Sequence, residues 1–134
     1  MTDVPSYANP DGLGQPFSLY SQVATAGDLV FAAGQVGVDQ RNRVTGPDVA
    51  GQAIQAYENV RLILESQGAS LRHVVRFVVY LIDAQDVAEF YAAREQYFSE
   101  HFTNGEYPPN TLLIVQALVR PEFRVEIDAT ARLL

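Results

Sequence analysis

The sequence predicts an α+β domain in which a mixed β-sheet carries two helices on one face. Two segments place apolar residues at steps of three and four, several others are β-branched or strictly alternating, and clusters of Pro, Gly, Asn and Asp separate them. The predicted order is β-β-α-β-α-β-β. Its 134 residues, 48% of them hydrophobic, suit one domain spanning 1–134.

Residues 1–17 (MTDVPSYANPDGLGQPF) hold three prolines and two glycines and read as an irregular lead-in. The first strand is expected at Leu19–Ala24. The Ala26–Gly27–Asp28 turn then leads to an apolar strand, Leu29–Ala33, ended by Gly34. The segment Asp39–Gly46 is a polar loop. Asp48 is a candidate N-cap for a helix over Val49–Gln67, whose Val49, Ala53, Ala56, Val60 and Ile63 share one face and whose C′ residue is Gly68. Val74–Ile82 reads as a central strand buried on both faces.

Asp83 or Asp86 caps the second helix. Its apolar stripe is Val87, Phe90, Tyr91, Tyr97, Phe98 and Phe102, and Asn104–Gly105 ends it. Pro108–Pro109 forbid helix and set up a strand at Thr111–Val115. The last strand, Arg124–Ala131, sets Arg124, Glu126, Asp128 and Thr130 against Val125, Ile127, Ala129 and Ala131. Both helices should pack on one sheet face, leaving the other for a second subunit to cover.

Composition narrows the function. The net charge of −7 does not suit nucleic acid, whose binders neutralise phosphates with Lys and Arg. No apolar run approaches the ~20 residues of a membrane helix, and Met1–Val4 shows no targeting pattern, so a cytoplasmic protein is expected. Without cysteine there is no disulfide, thiolate metal site or thiol nucleophile. His73 and His101 are the only histidines and have no ligand spacing, so neither a metal nor a cofactor is expected. Serines lack an elbow motif, and the glycines do not form a phosphate loop.

Several stretches nevertheless resemble one family. They are Tyr20–Ser21–Gln22, Ala26–Gly27–Asp28–Leu29–Val30–Phe31, Gly34–Gln35, Asn59–Val60, Val75–Leu81 and Tyr97–Phe98 before Pro108. Most distinctive is Arg120–Pro121–Glu122–Phe123 followed by Val125–Glu126–Ile127–Asp128–Ala129. From Tyr20 onward the chain is similar to the RidA/YjgF proteins, also described as the L-PSP endoribonuclease or translation-inhibitor family. The resemblance implies a chorismate-mutase-like subunit, a homotrimer with a central β-barrel, and a small-molecule pocket at each subunit interface. It also implies cofactor-free hydrolysis of reactive enamines or imines to keto acids and ammonia.

The resemblance assigns roles by position. Glu126 matches the catalytic glutamate that positions or activates water. Tyr20 matches a pocket tyrosine, and Gly34 a glycine whose backbone approaches the ligand. The family's substrate-carboxylate arginine is replaced by Asn110, with Thr111 beside it in the same pocket stretch. At about 1.5–3 kcal/mol for each hydrogen bond to a charged group, that exchange lowers affinity for an acid by roughly tenfold or more per bond. Ala33 stands where a hydroxyl residue is common, and Tyr91 where an asparagine is common. These departures imply a divergent subgroup with altered substrate recognition. Taken without the resemblance, Glu126 is one residue of an alternating polar face, Tyr20 a packing residue and Asn110 a polar residue after a turn. An enzyme, a non-catalytic small-ligand binder or regulator of the same fold, and a ribonuclease or holdase remain the alternatives.

Overall fold

The computed structural model describes residues 4–133. Six strands form one sheet: β1 (Ser6–Ala8), β2 (Val23–Ala26), β3 (Leu29–Val36), β4 (Val74–Leu81), β5 (Asn110–Ile114) and β6 (Val125–Arg132). Two helices, α1 (Val49–Ser66) and α2 (Val87–His101), complete the fold, with single 3₁₀ turns before β4 and α2. The strand order is β1-β2-β3-β6-β4-β5; every neighbouring pair is antiparallel except β4 with β5. The α+β class, the mixed sheet and both helices stand as the sequence indicates.

Both helices pack on one sheet face for a reason visible along β6. Its Val125, Ile127, Ala129 and Ala131 are buried while the residues between them are only half-buried, the period-2 pattern of a strand with one covered face. The buried set meets Ala53, Ala56, Tyr57, Val60, Ile63 and Leu64 of α1 and Phe90, Ala93, Tyr97 and Phe98 of α2. Aromatic rings cluster where the helices cross the sheet. Tyr57 lies 5.5 Å from Phe77 and 5.2 Å from Phe98, both edge-on, the arrangement favoured by ring quadrupoles. Truncating Phe77 to alanine would cost about 3–5 kcal/mol.

Buried polar side chains tie the loops to this core. Gln52 of α1 donates to the Gly46 and Glu122 carbonyls and accepts from the Arg124 amide, so one amide serves three backbone groups. Asn59 donates to the Val36 and Val38 carbonyls as β3 ends.

Several boundaries and local readings differ from the sequence-based expectation. The lead-in is not wholly irregular: Ser6–Ala8 adds β1 to the edge of β2, and only residues 1–3 of it lie outside the described part. The first expected strand begins at Val23, not Leu19, because a tight turn with the Tyr20 amide on the Ser18 carbonyl occupies the preceding residues. Asp48 precedes α1 but makes no side-chain cap; Glu89 of α2 accepts the Ala50 amide instead. Asp86 stands at the N-cap of α2 without a side-chain cap bond, and Asp83 caps the preceding 3₁₀ turn by accepting from the Gln85 amide. Val75 and Arg76 are exposed, so β4 is covered on both faces only from Phe77 onward. Among the described residues no helix is long and apolar enough to cross a membrane.

Candidate functional site

The two ends of the candidate site come from different parts of the sheet. The first is built where β3 meets β6. Ala32 pairs with Ala129 and Gln35 with Ile127, so β3 carries one residue more than its partner between them. This bulge falls at Ala33–Gly34, the kind of irregularity that re-aims groups beside active sites. It leaves the Gly34 backbone open to Glu126. A Cβ on residue 34 would lie 2.1 Å from a Glu126 carboxylate oxygen, so a hydrogen at that position is what admits the carboxylate.

Glu126 is half-buried on the helix-free face of β6 and accepts no hydrogen bond from any described residue. Burial, followed by the neighbouring Asp128 charge, holds its carboxyl above the usual glutamate range. Asp128 itself is occupied, accepting from the Tyr80 hydroxyl at 2.9 Å. A carboxylate with free lone pairs, desolvated and laid against open backbone, can take a proton from water.

Tyr20 lies beside this point, in a loop and not in a strand. Its ring is 43% exposed, and its hydroxyl accepts the Phe17 amide at 3.2 Å. It lines a groove of about 390 Å³ with Tyr7, Phe31 and Ala33, and a narrow recess with Gly34 and Gln22. Of the residues singled out from sequence, Glu126 thus lies against Gly34, and Tyr20 lines the groove with Ala33 and the recess with Gly34.

The others do not join them within one chain. Asn110 opens β5 opposite Phe77 and lines a cavity of about 540 Å³ on the helix-bearing side, with Phe77, Arg94, Phe98, Tyr107 and Pro108. Thr111, one residue on, pairs with Val78 and points to the other face, as period-2 alternation requires. It shares that face with Glu126, two strands away and two residues further along. Tyr91 is 48% exposed and lines none of these cavities. Its ring packs instead against the Arg94 guanidinium, 4.8 Å from the ring centre.

Sequence reasoning passed over Arg94. The signal was present, since residues 91 and 94 are one helical turn apart and share a face. Only the path of β5 shows that this face meets Asn110. Among the described residues no group of three or more His, Asp and Glu is placed to hold a metal ion.

The fold is thus a two-layer α+β subunit with a half-buried glutamate set beside a glycine bulge on its helix-free sheet face. Comparison with known proteins then gives the family. The model described as "Endoribonuclease L-PSP" matches residues 14–133. A 2-iminobutanoate/2-iminopropanoate deaminase of Salmonella typhimurium is 33% identical over 112 residues, 84% of this chain and 85% of that protein. A RutC family protein of Pyrococcus horikoshii is 32% identical over 118 residues, covering 87% and 89%. Among solved structures, RidA of an Antarctic Psychrobacter superposes with a TM-score of 0.85 at 29% identity, covering 96% of this chain and 99% of that one. E. coli TdcF, solved with bound serine, superposes with a TM-score of 0.86 at 27% identity, covering 95% and 98%. The chain belongs to the RidA/YjgF (L-PSP endoribonuclease) family.

Proposed function

We propose that the protein hydrolyses a small reactive imine, or the enamine that tautomerises to it, at a site completed by a second copy of the chain. The observation that carries this reading is Glu126: a half-buried carboxylate without a hydrogen-bond donor, held above its normal pKa and seated on Gly34. The deaminases to which the chain is similar act on 2-imino acids by name, and the TdcF structure holds an amino acid.

In the proposed step Glu126 removes a proton from water while the water oxygen bonds to the C=N carbon and the C=N electron pair moves to nitrogen. The carbinolamine takes a proton at nitrogen from the Glu126 carboxylic acid. Glu126 then carries the hydroxyl proton to nitrogen as the C–N bond breaks, giving a carbonyl compound and ammonia and leaving the carboxylate as it began. The balance needs water and no oxidant, metal or cofactor. Tyr20 and the Gly34 backbone would orient the substrate over Glu126.

Assembly enters because the two ends lie on opposite faces of one sheet. Asn110 faces the helix side and Glu126 the open side, so one ligand meets both only if copies pack with the open face of one against the β5 edge of another. Apolar groups support that packing: Phe31 on the open face and Leu113 and Ile114 on β5 are all more than 40% exposed, and β5 is an unpaired edge. A homotrimer with a central barrel of sheets would satisfy this. RNA is the weaker ligand, for besides the charge of −7, Arg43, Arg61, Arg124 and Arg132 are already engaged by carboxylates.

The test is ammonia release from imines generated in situ by an amino-acid oxidase, over several amino acids and amino-acid amides. Release well above background, lost in Glu126→Gln with oligomer size unchanged, is the expected result. Background rates for every imine would reject the enzyme and leave the small-ligand binder of the same fold.

A further inference from the structure

We infer that Arg94 is the cation that receives the substrate carboxylate, and that the substrate is a monocarboxylate with a flat apolar body. The inference deepens the proposed function, since the bound acid would present its C=N group to Glu126 of a neighbouring copy.

All nine basic residues are arginines, and five of them, Arg43, Arg61, Arg120, Arg124 and Arg132, have a carboxylate within 4.0 Å. The other four are Arg41, Arg72, Arg76 and Arg94. The first three are exposed side chains, for which water serves as partner. Arg94 alone of the four is half-buried, with no ion pair among the described residues and the buried Tyr57 hydroxyl as its polar neighbour. In a chain with 16 acidic residues, an unneutralised, partly desolvated guanidinium calls for an explanation.

Its setting supplies one. The guanidinium carbon stands 4.8 Å from the Tyr91 ring centre, 5.3 Å from Phe90 and 6.0 Å from Phe98. Stacking on aromatic faces fixes the plane of the fork while leaving its N–H edges free, as bidentate carboxylate recognition needs. Behind it lies the Tyr57 hydroxyl, fully buried and without a hydrogen-bond partner in the described structure. Burial raises that phenol's pKa and the Arg94 charge acts against the rise, which places the guanidinium close to it.

In front of Arg94 the cavity of about 540 Å³ is walled by Phe77, Phe98, Tyr107 and Pro108, with Asn110 supplying an amide. Such walls suit an aromatic or branched body. Glu95 also lines the cavity, and its charge disfavours a second negative group on the ligand. Arg94 thus supplies a cation in the cavity where Asn110 offers only a neutral amide.

The test uses an unreactive matched pair, 3-phenylpropionate and 3-phenylpropionamide, titrated calorimetrically into the assembled protein. Wild type should bind the acid at least about tenfold more tightly than the amide. Arg94→Gln should remove that preference, and Arg94→Lys should keep part of it, while the amide binds all three alike. Equal affinity of wild type for acid and amide would overturn the inference. So would an Arg94→Gln protein of unchanged melting temperature and oligomer size that still prefers the acid. An Arg94→Gln protein that dissociates would assign the guanidinium to contacts between copies and also overturn it. Neither probe contains C=N, so the result is independent of turnover: an intact preference without ammonia release would reject the hydrolase and leave the acid site standing.

Discussion

The Glu126 region and the Arg94–Asn110 region are built on opposite principles. Around Glu126 the backbone does the work: a bulge in β3 and a residue without a side chain leave room for a carboxylate that nothing else holds. Around Arg94 side chains do it, since three rings orient the cation and a strand edge places Asn110 before it. The first region should tolerate almost no change, whereas the second can move its charge from one element to another and still present it. Under the proposed function the chemical step would belong to the rigid half and substrate choice to the adaptable half.

The sharpest way to break that contrast is at Glu126. Glu126→Gln should lower kcat by about 10²–10⁴-fold, the usual worth of a general base, without loss of thermal stability. A gain in stability at neutral pH is expected, because a carboxyl whose folded pKa is raised penalises the native state once pH exceeds that pKa. Next comes Gly34→Ala. The new methyl meets the far end of a flexible side chain, so the fold survives, but the carboxylate is displaced and turnover should fall on the order of a hundredfold. An active Gly34→Ala enzyme would mean that the bulge does not seat Glu126.

Asn110→Arg probes the adaptable half. It adds a second guanidinium to the Arg94 cavity, and KM for anionic imines should fall by about tenfold with little change in kcat. If KM is unchanged while the oligomer is intact, the two positions do not face one ligand.

Smallest are the effects of pH, which come from two carboxyls shifted in opposite directions. Activity should rise with pH through an apparent pKa above that of an ordinary glutamate and then level off, because Glu126 must be ionised to act. Stability has another source. Glu58 is held down at about 2, chiefly by its hydrogen bond from Arg61 and further by the one from Tyr97. A lowered folded pKa stabilises above the unfolded value and is lost as pH falls, so the melting temperature should drop between about pH 4.5 and 2. Glu58→Gln should flatten that drop. The slope will be shallow because the Glu58 side chain is 35% exposed.

Much of this architecture was legible one residue at a time. The period of β6 marked its covered face, the three-and-four spacing marked α1, and the prolines at 108–109 marked where β5 could begin. Glu126, Tyr20 and Gly34 were singled out through family likeness; the structure sets Glu126 against Gly34 and puts Tyr20 in a recess with Gly34. Tyr91 was less so: it has the right spacing for the apolar stripe yet stands exposed, because a stripe on a helical wheel does not say where the neighbouring sheet ends.

By itself the sequence determined the class of the fold, the covered faces and the identity of the family, since those follow from local periodicity and short motifs. Only the tertiary structure decided the rest: that β3 bulges under Glu126, that Asn110 and Thr111 point to opposite sides of an edge strand, and that Arg94 stands before Asn110 without an acid. Each of these depends on the register and path of segments far apart in the chain. Pairing across a sheet is settled by which combination of faces buries the most apolar surface, a quantity that no single stretch of residues contains.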